Sequence, residues 1–170
     1  MSVFLFSDPH FYHENEAKRR GFSCADEMNE LIVKNWNNTV DKKDCVFLLG
    51  DITMEIKNYK ILSELNGTIN VILGNHDQRG HVRNMLKYVS SVAGMIIYKK
   101  VAILTHCPVH PSNISYGSKF NIHGHIHDKR ILKHPTLASY LGEPDPRYVN
   151  VCAEMINYTP VEYLKIIKDV

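Results

Sequence analysis

TINVILGNHD, residues 68–77, is the stretch from which the rest of the chain is best read. An apolar run climbs through Val71, Ile72 and Leu73, stops at Gly74, and passes at once to Asn75, His76 and Asp77. Its length and its closing glycine predict a buried strand. The turn that follows delivers an amide, an imidazole and a carboxylate together. Four other apolar runs end in the same way. Val3–Phe6 gives way to Ser7-Asp8-Pro9-His10, Cys45–Leu49 to Gly50-Asp51, Val101–Thr105 to His106, and Phe120–Ile122 to His123-Gly124-His125-Ile126-His127.

Between these runs the period changes to that of helices. Ser23–Trp36 carries Met28, Leu31, Ile32 and Trp36 on one face, with Ser23 and Asp26 at capping-box spacing and Asn37-Asn38 as a stop. Residues 59–66 and 82–89 predict two shorter helices, the first closed by Gly67. Thr159-Pro160-Val161-Glu162 reads as a capping box opening a last helix through Ile167. Gly94–Tyr98 and Val101–Thr105 predict a hairpin turned at Lys99-Lys100, and Tyr148–Ala153 a strand. Residues 107–119 read as a loop, and 134–147, with three prolines and a glycine, as a surface excursion. Strands alternating with helices first, and hairpin-like strands later, predict an α/β fold with a mixed sheet arrangement. In such sheets ligands collect where strands end.

At 170 residues one domain, 1–170, is the expectation. A net charge of +2 is too small to argue by itself for a nucleic acid polymer or a membrane surface. The four cysteines form no C-x-x-C pair, which disfavours a disulfide framework or a cysteine zinc site and favours a reduced, cytoplasmic chain. MSVFLFSDPH resembles neither a signal peptide nor a membrane span. Ten histidines is the compositional outlier.

Asp8, His10, Asp51, Asn75, His106, His125 and His127 account for much of it. Imidazole with carboxylate and no sulfur suits first-row divalent ions, manganese first, with iron, zinc or nickel as alternatives. Seven such groups exceed what one tetrahedral zinc takes and suffice for two ions if one carboxylate bridges. Two ions roughly 3.5–4 Å apart clamp a phosphorus centre for in-line displacement and hold a hydroxide that is nucleophilic near neutral pH. His76 is then the candidate general acid for the leaving oxygen, with Asp77 as its orienting carboxylate.

With these blocks in view, the chain resembles the calcineurin-like metallophosphoesterases, especially the small bacterial and phage-type members. The family pattern D-x-H, G-D, G-N-H-D/E, lone H, G-H-x-H appears in order as Asp8-Pro9-His10, Gly50-Asp51, Gly74-Asn75-His76-Asp77, His106 and Gly124-His125-Ile126-His127. Each block is weak alone; five in order are specific. Phe11-x-His13-x-Asn15, Asn35-Trp36-Asn37 and Asn150-Val151 resemble the small subgroup. The resemblance implies a four-layer α/β/β/α sandwich with two mixed sheets. It further implies that Asp8, His10 and His127 hold one ion, that Asn75, His106 and His125 hold the other, and that Asp51 bridges.

Many members of the family place Asp or Arg shortly after G-D, where this chain has Ile52-Thr53-Met54. His13, Arg79, His81 and Lys119 are the candidates to contact substrate phosphate instead, although His81 also reads as a helix start and His13 as a local cap. The expected activity is hydrolysis of a small, nucleotide-like phosphodiester. A phosphomonoesterase, a non-catalytic metal-binding scaffold of the same fold, and a nuclease are the competing expectations.

Overall fold

β1 (Val3–Phe6) lies inside a five-stranded sheet and carries the registration of the first half of the molecule. In the computed structural model, which describes residues 1–114, 117–133 and 142–169 apart from the side chains of Arg79 and Asp169, β1 pairs in parallel with β2 (Cys45–Leu48). β2 pairs with β3 (Thr68–Ile72), and β3 with β4 (Ser91–Ala93), again in parallel. The other edge of β1 takes an antiparallel partner, β9 (Val161–Glu162), giving the order β4-β3-β2-β1-β9.

A second sheet has the order β5-β6-β7-β8. β5 (Ile96–Tyr98) and β6 (Ala102–Leu104) form the expected hairpin, with Lys99 and Lys100 both in the left-handed region that a tight hairpin turn requires. β7 (Phe120–His123) and β8 (Tyr148–Asn150) add in parallel. Both sheets are therefore mixed.

The apolar periodicity assigns the layers. Leu5, Phe47 and Ile72 point from the first sheet onto Ala102, Leu104, Phe120 and Ile122 of the second, and this buried layer joins the sheets face to face. The alternate residues Phe4, Phe6, Val46, Leu48 and Val71 face the other way, against Met28, Ile32 and Trp36 of α2 (Ala25–Thr39). On the outer side of the second sheet Asn121 accepts the Val109 N–H at 3.0 Å. This holds the segment before the short helix α4 (Pro111–Ile114) over that face. The α/β/β/α order is that of the metallophosphoesterase fold.

Trp36 is fully buried and donates its indole N–H to Asn66 O at 2.9 Å. The Asn37 side chain clasps the same connection through Glu64 O and Asn66 N–H. The Asn35-Trp36-Asn37 stretch thus fixes where β3 begins.

Several elements differ from the sequence expectation. The capping carboxylate of α2 is Glu27, not Asp26: it takes both the N–H and the hydroxyl of Ser23, and the helix runs on to Thr39. Residues Ile56–Glu64 form a 3₁₀ helix, which puts Tyr59, Leu62 and Leu65 at its three-residue spacing into the core. α3 is only Val82–Met85, because the bonds from Lys87 and Tyr88 reach back three residues rather than four. Thr159–Glu162 is no capping box. Val161 and Glu162 pair with β1 instead, the Glu162 carboxylate accepts the Ser2 hydroxyl at 2.8 Å, and α5 begins only at Tyr163 (Tyr163–Asp169). The strand expected over 148–153 stops at Asn150 and a 3₁₀ turn follows over Ala153–Ile156. The excursion lies largely outside the described residues, as does His134; its closing part is bridged back by Leu132 to Pro144.

Candidate metal centre

All seven candidate ligands lie just beyond the carboxyl ends of parallel strands: Asp8 and His10 after β1, Asp51 after β2, Asn75 after β3, His106 after β6, His125 and His127 after β7. The two sheets bring their strand ends to one place because cross-connections tie them there. His125 N–H bonds Asp8 Oδ2 at 3.0 Å, His106 Nδ1 meets Leu49 O at 2.7 Å, and Ala153 N–H bonds Ser7 O at 2.9 Å. Gly124 is the closest approach. A Cβ there would collide with Ser7 Oγ and Asp8 Oδ2, so only glycine lets the second sheet's loop touch the first sheet's carboxylate.

Five of the seven sit at left-handed φ: Asp8 at 57°, His10 at 46°, Asp51 at 51°, His125 at 71° and His127 at 53°. That region is uncommon for residues other than glycine, and such strain concentrates at functional sites. Here it turns the side chains back over the strand ends.

The two aspartates divide their oxygens. Asp8 Oδ2 accepts the His125 N–H at 3.0 Å and faces the Ser7 hydroxyl and the Cys152 thiol. Asp51 Oδ1 accepts the His76 N–H at 2.9 Å. Each carboxylate thereby spends one oxygen on backbone geometry and turns the other to the centre. Asp51 Oδ2 lies 3.3 Å from His106 Nε2, 3.8 Å from His10 Nε2 and 3.9 Å from His76 Nε2. Burial works to raise its carboxyl, but the His106 ring, the His76 backbone N–H and the His10 ring outweigh this and hold it at about 2. The ring of His106 is fixed by a 2.7 Å contact between Nδ1 and Leu49 O, which takes the Nδ1 proton and leaves Nε2, 2.9 Å from Asn75 Oδ1, as the nitrogen that faces the centre.

Ligand atoms of Asp8, His10 and His127 all lie within 4.8 Å of one another, and the same is true of Asp8, Asp51 and His106, and of His106, Cys107 and His125. Three buried atoms at the heart of this arrangement, Asp8 Oδ1, His10 Nδ1 and His10 Nε2, have no hydrogen-bond partner among the described residues. Burial pushes the His10 imidazole down to about 4, which keeps it neutral. Buried polar atoms left unpaired are costly unless something else satisfies them. A cluster of carboxylate oxygens and neutral imidazole nitrogens suits divalent cations, so the donor set fits the metal chemistry expected from the sequence.

His76 is placed at the mouth, its side chain 42% exposed and its ring 5.8 Å from that of His10. The remaining expectations change. Asp77 does not reach the His76 ring: its oxygens are taken by the N–H groups of Asp51, Gly74 and Ile52 and by the Tyr59 hydroxyl. It is a buried strut beneath the centre rather than an orienter. His81 is buried behind it, 3.2 Å from Tyr59 Oη, and does not face the mouth. His13 caps α1 (Glu14–Arg19) by accepting the Glu16 N–H at Nδ1. Arg79 opens a 3₁₀ turn, and its side chain lies outside the description. Lys119 precedes β7 and lines a cavity with Lys99 and Tyr163, at the end of the strands opposite to the centre.

Sequence reading missed a charged group behind His127. Its Nδ1 lies 2.8 Å from Glu154 Oε1, with Arg19 Nη2 3.0 Å away. Glu16 and Arg20 complete the group. Glu16, Arg19 and Arg20 look in sequence like a helical ion-pair ladder, and Glu154 carries no motif of its own. The one nearby signal is the Asn150-Val151 pair: the Asn150 amide donates to His127 O and Lys129 O and bolts this loop down.

Residues 1–154 match the calcineurin-like phosphoesterase superfamily domain. An uncharacterized protein of Methanocaldococcus jannaschii, MJ1445, is 36% identical over 175 residues, covering 98% of this chain and 89% of its own. The crystal structure of AQ665 from Aquifex aeolicus, a protein of unknown function, superposes with a TM-score of 0.72 at 24% identity, over 99% of both chains, and speaks to the fold alone.

Proposed function

The chain belongs to the calcineurin-like phosphoesterase superfamily, and from that premise we propose that its 170 residues form a single-domain, two-metal phosphodiesterase acting on small nucleotide-like substrates. The observation that carries this is the buried His10 ring, whose Nε2 stands 3.8 Å from both Asp8 Oδ1 and the inward oxygen of Asp51 with no hydrogen-bond partner among the described residues. Asp8, His10 and His127 would hold one ion, Asn75, His106 and His125 the other, and Asp51 Oδ2 would face both. When bound, two such ions, manganese foremost, neutralise phosphate charge and make water nucleophilic near neutral pH.

The chain's own residues do the rest. The strained loops hold the donors in place before substrate arrives. Asp51 Oδ1 fixes the His76 backbone, so the His76 ring stands over the mouth, ready to give a proton to the leaving oxygen. The His76 side chain is partly exposed, which suits a group that meets substrate rather than one that holds an ion. The resemblance to the family supports a diester over a monoester, since histidine after Gly-Asn beside an imidazole-rich second site serves its phosphodiesterases. The four cysteines are unpaired, in keeping with a reducing cytoplasm, and among the described residues no helix is long and apolar enough to cross a membrane.

The test is a comparison of bis-p-nitrophenyl phosphate with p-nitrophenyl phosphate, followed by nucleotide and cyclic-nucleotide esters. Faster turnover of the diester is expected. A monoester preference removes the diester assignment, and inactivity on every ester with metal bound favours a scaffold.

A further inference from the structure

The two halves of the centre are propped differently. On the side of His106, the ring's outer nitrogen meets a neutral backbone carbonyl, Leu49 O, at 2.7 Å. On the side of His127, the outer nitrogen meets a carboxylate, Glu154 Oε1, at 2.8 Å. That carboxylate is itself held by two guanidinium groups. Arg19 Nη2 reaches Glu154 Oε1 at 2.7 Å and Glu16 Oε1 at 2.6 Å. Arg20 Nη2 reaches Glu154 Oε2 at 2.9 Å.

Arg20 is the unusual member, with a side chain 1% exposed. The same Nη2 donates to Asp8 O at 2.8 Å. Arg20 and Glu154 therefore tie together the two segments that supply the first ion's donors: the Asp8-Pro9-His10 loop through its backbone, and His127 through its ring.

We infer that Glu154 is a positioning residue for the first ion alone: it fixes His127 with the proton on Nδ1 and the lone pair on Nε2, while Arg20 couples that choice to the Asp8 loop. A histidine that donates to a carboxylate is a more basic ligand than one that donates to a carbonyl, and its ring has one orientation. The two ions should thus differ in affinity for a reason that lies outside the seven donors. Glu16, His127 and Glu154 themselves come within 4.8 Å of one another, but Arg19 Nη2 lies within 3.0 Å of a donor atom of each of them, so this group does not read as a third cation site.

This rests on the two-ion assignment above, and the experiment separates the two. Metal-stripped protein is titrated with Mn²⁺ by calorimetry, and the wild type is compared with Glu154→Gln, using His127→Ala and His106→Ala as references for each half. Glu154→Gln keeps the shape and an acceptor oxygen but removes the charge; Glu154→Ala removes both. The expected result is that one of two ions weakens, by about 10–100-fold in Glu154→Ala and by less in Glu154→Gln. The isotherm should resemble that of His127→Ala, and melting of the metal-free Gln variant should show an intact fold. Unchanged affinities in Glu154→Gln, or equal losses for both ions, overturn the inference. A wild type that binds two ions but hydrolyses no ester removes the functional assignment and leaves this one standing. A wild type that binds fewer than two removes both.

Discussion

Asp77 Oδ2 accepts the backbone N–H of Asp51 at 2.8 Å. A residue that sits next to the candidate general acid in sequence thus acts on the candidate bridging carboxylate in space. The same oxygen takes the Gly74 N–H, and the other oxygen takes Ile52 N–H and the Tyr59 hydroxyl. Asp77 is therefore what holds the β2 and β3 turns at one height.

Replacing Asp77 by Ala strands several buried donors, at a cost on the order of 1–3 kcal/mol each. The melting temperature of the metal-free protein should fall clearly, together with Mn²⁺ affinity. Loss of turnover with unchanged melting and unchanged metal affinity would restore Asp77 as a partner of the His76 ring.

Gly124→Ala places a methyl group into Ser7 and Asp8. The loop carrying His125 and His127 must then retreat from the first sheet. Mn²⁺ binding should be lost or sharply weakened while the strands, whose cores lie elsewhere, still form by circular dichroism. Metal binding at wild-type strength would mean that this contact does not set the centre.

His76→Ala should lower turnover of a diester by roughly 10²–10⁴, the usual worth of a general acid, with no change in the number of ions bound. A fall in ion stoichiometry would make His76 a ligand. Unchanged turnover would end its assignment as the acid.

Burial pushes the His10 imidazole down to about 4 from an ordinary 6.5. A group that resists protonation when folded stabilises the fold while it is neutral; that contribution is complete above about pH 6.5 and is lost as pH falls towards 4. His106 and His127 are shifted the other way, His106 because Asp51 outweighs its burial and His127 chiefly through Glu154. The measurement is therefore the stability difference between wild type and His10→Gln in chelator. It should shift against the wild type by on the order of 3 kcal/mol between those pH values. A difference that does not change with pH contradicts the buried neutral state.

The sequence was most legible where an apolar run met a glycine and a polar side chain. Those junctions located all seven candidate donors because strand ends must be punctuated. It was least legible where partners are distant in sequence but close in space. Nothing near Thr159 announces that Val161 and Glu162 will pair with the free edge of β1, so local capping chemistry looked like a helix start. Asp77 is adjacent to His76 in sequence, yet its four donors come from residues 51, 52, 59 and 74. Glu154 reaches His127 across 27 residues, and Arg20 reaches Glu154 across 134. Such carboxylates have no local signature. Nor do the left-handed angles of Asp8, His10 and Asp51, which are imposed by the turns and not by the residue types.

The most direct test of a two-ion phosphoesterase centre is hydrolysis of bis-p-nitrophenyl phosphate by chelator-stripped protein as Mn²⁺ is added back, in the wild type and in Asp51→Asn. Asp51 is the group that both ions would share. No hydrolysis without metal, its appearance as Mn²⁺ is supplied, and its failure to appear in Asp51→Asn are the predicted results. Hydrolysis that needs no metal, or full activity in Asp51→Asn, would contradict the two-ion centre.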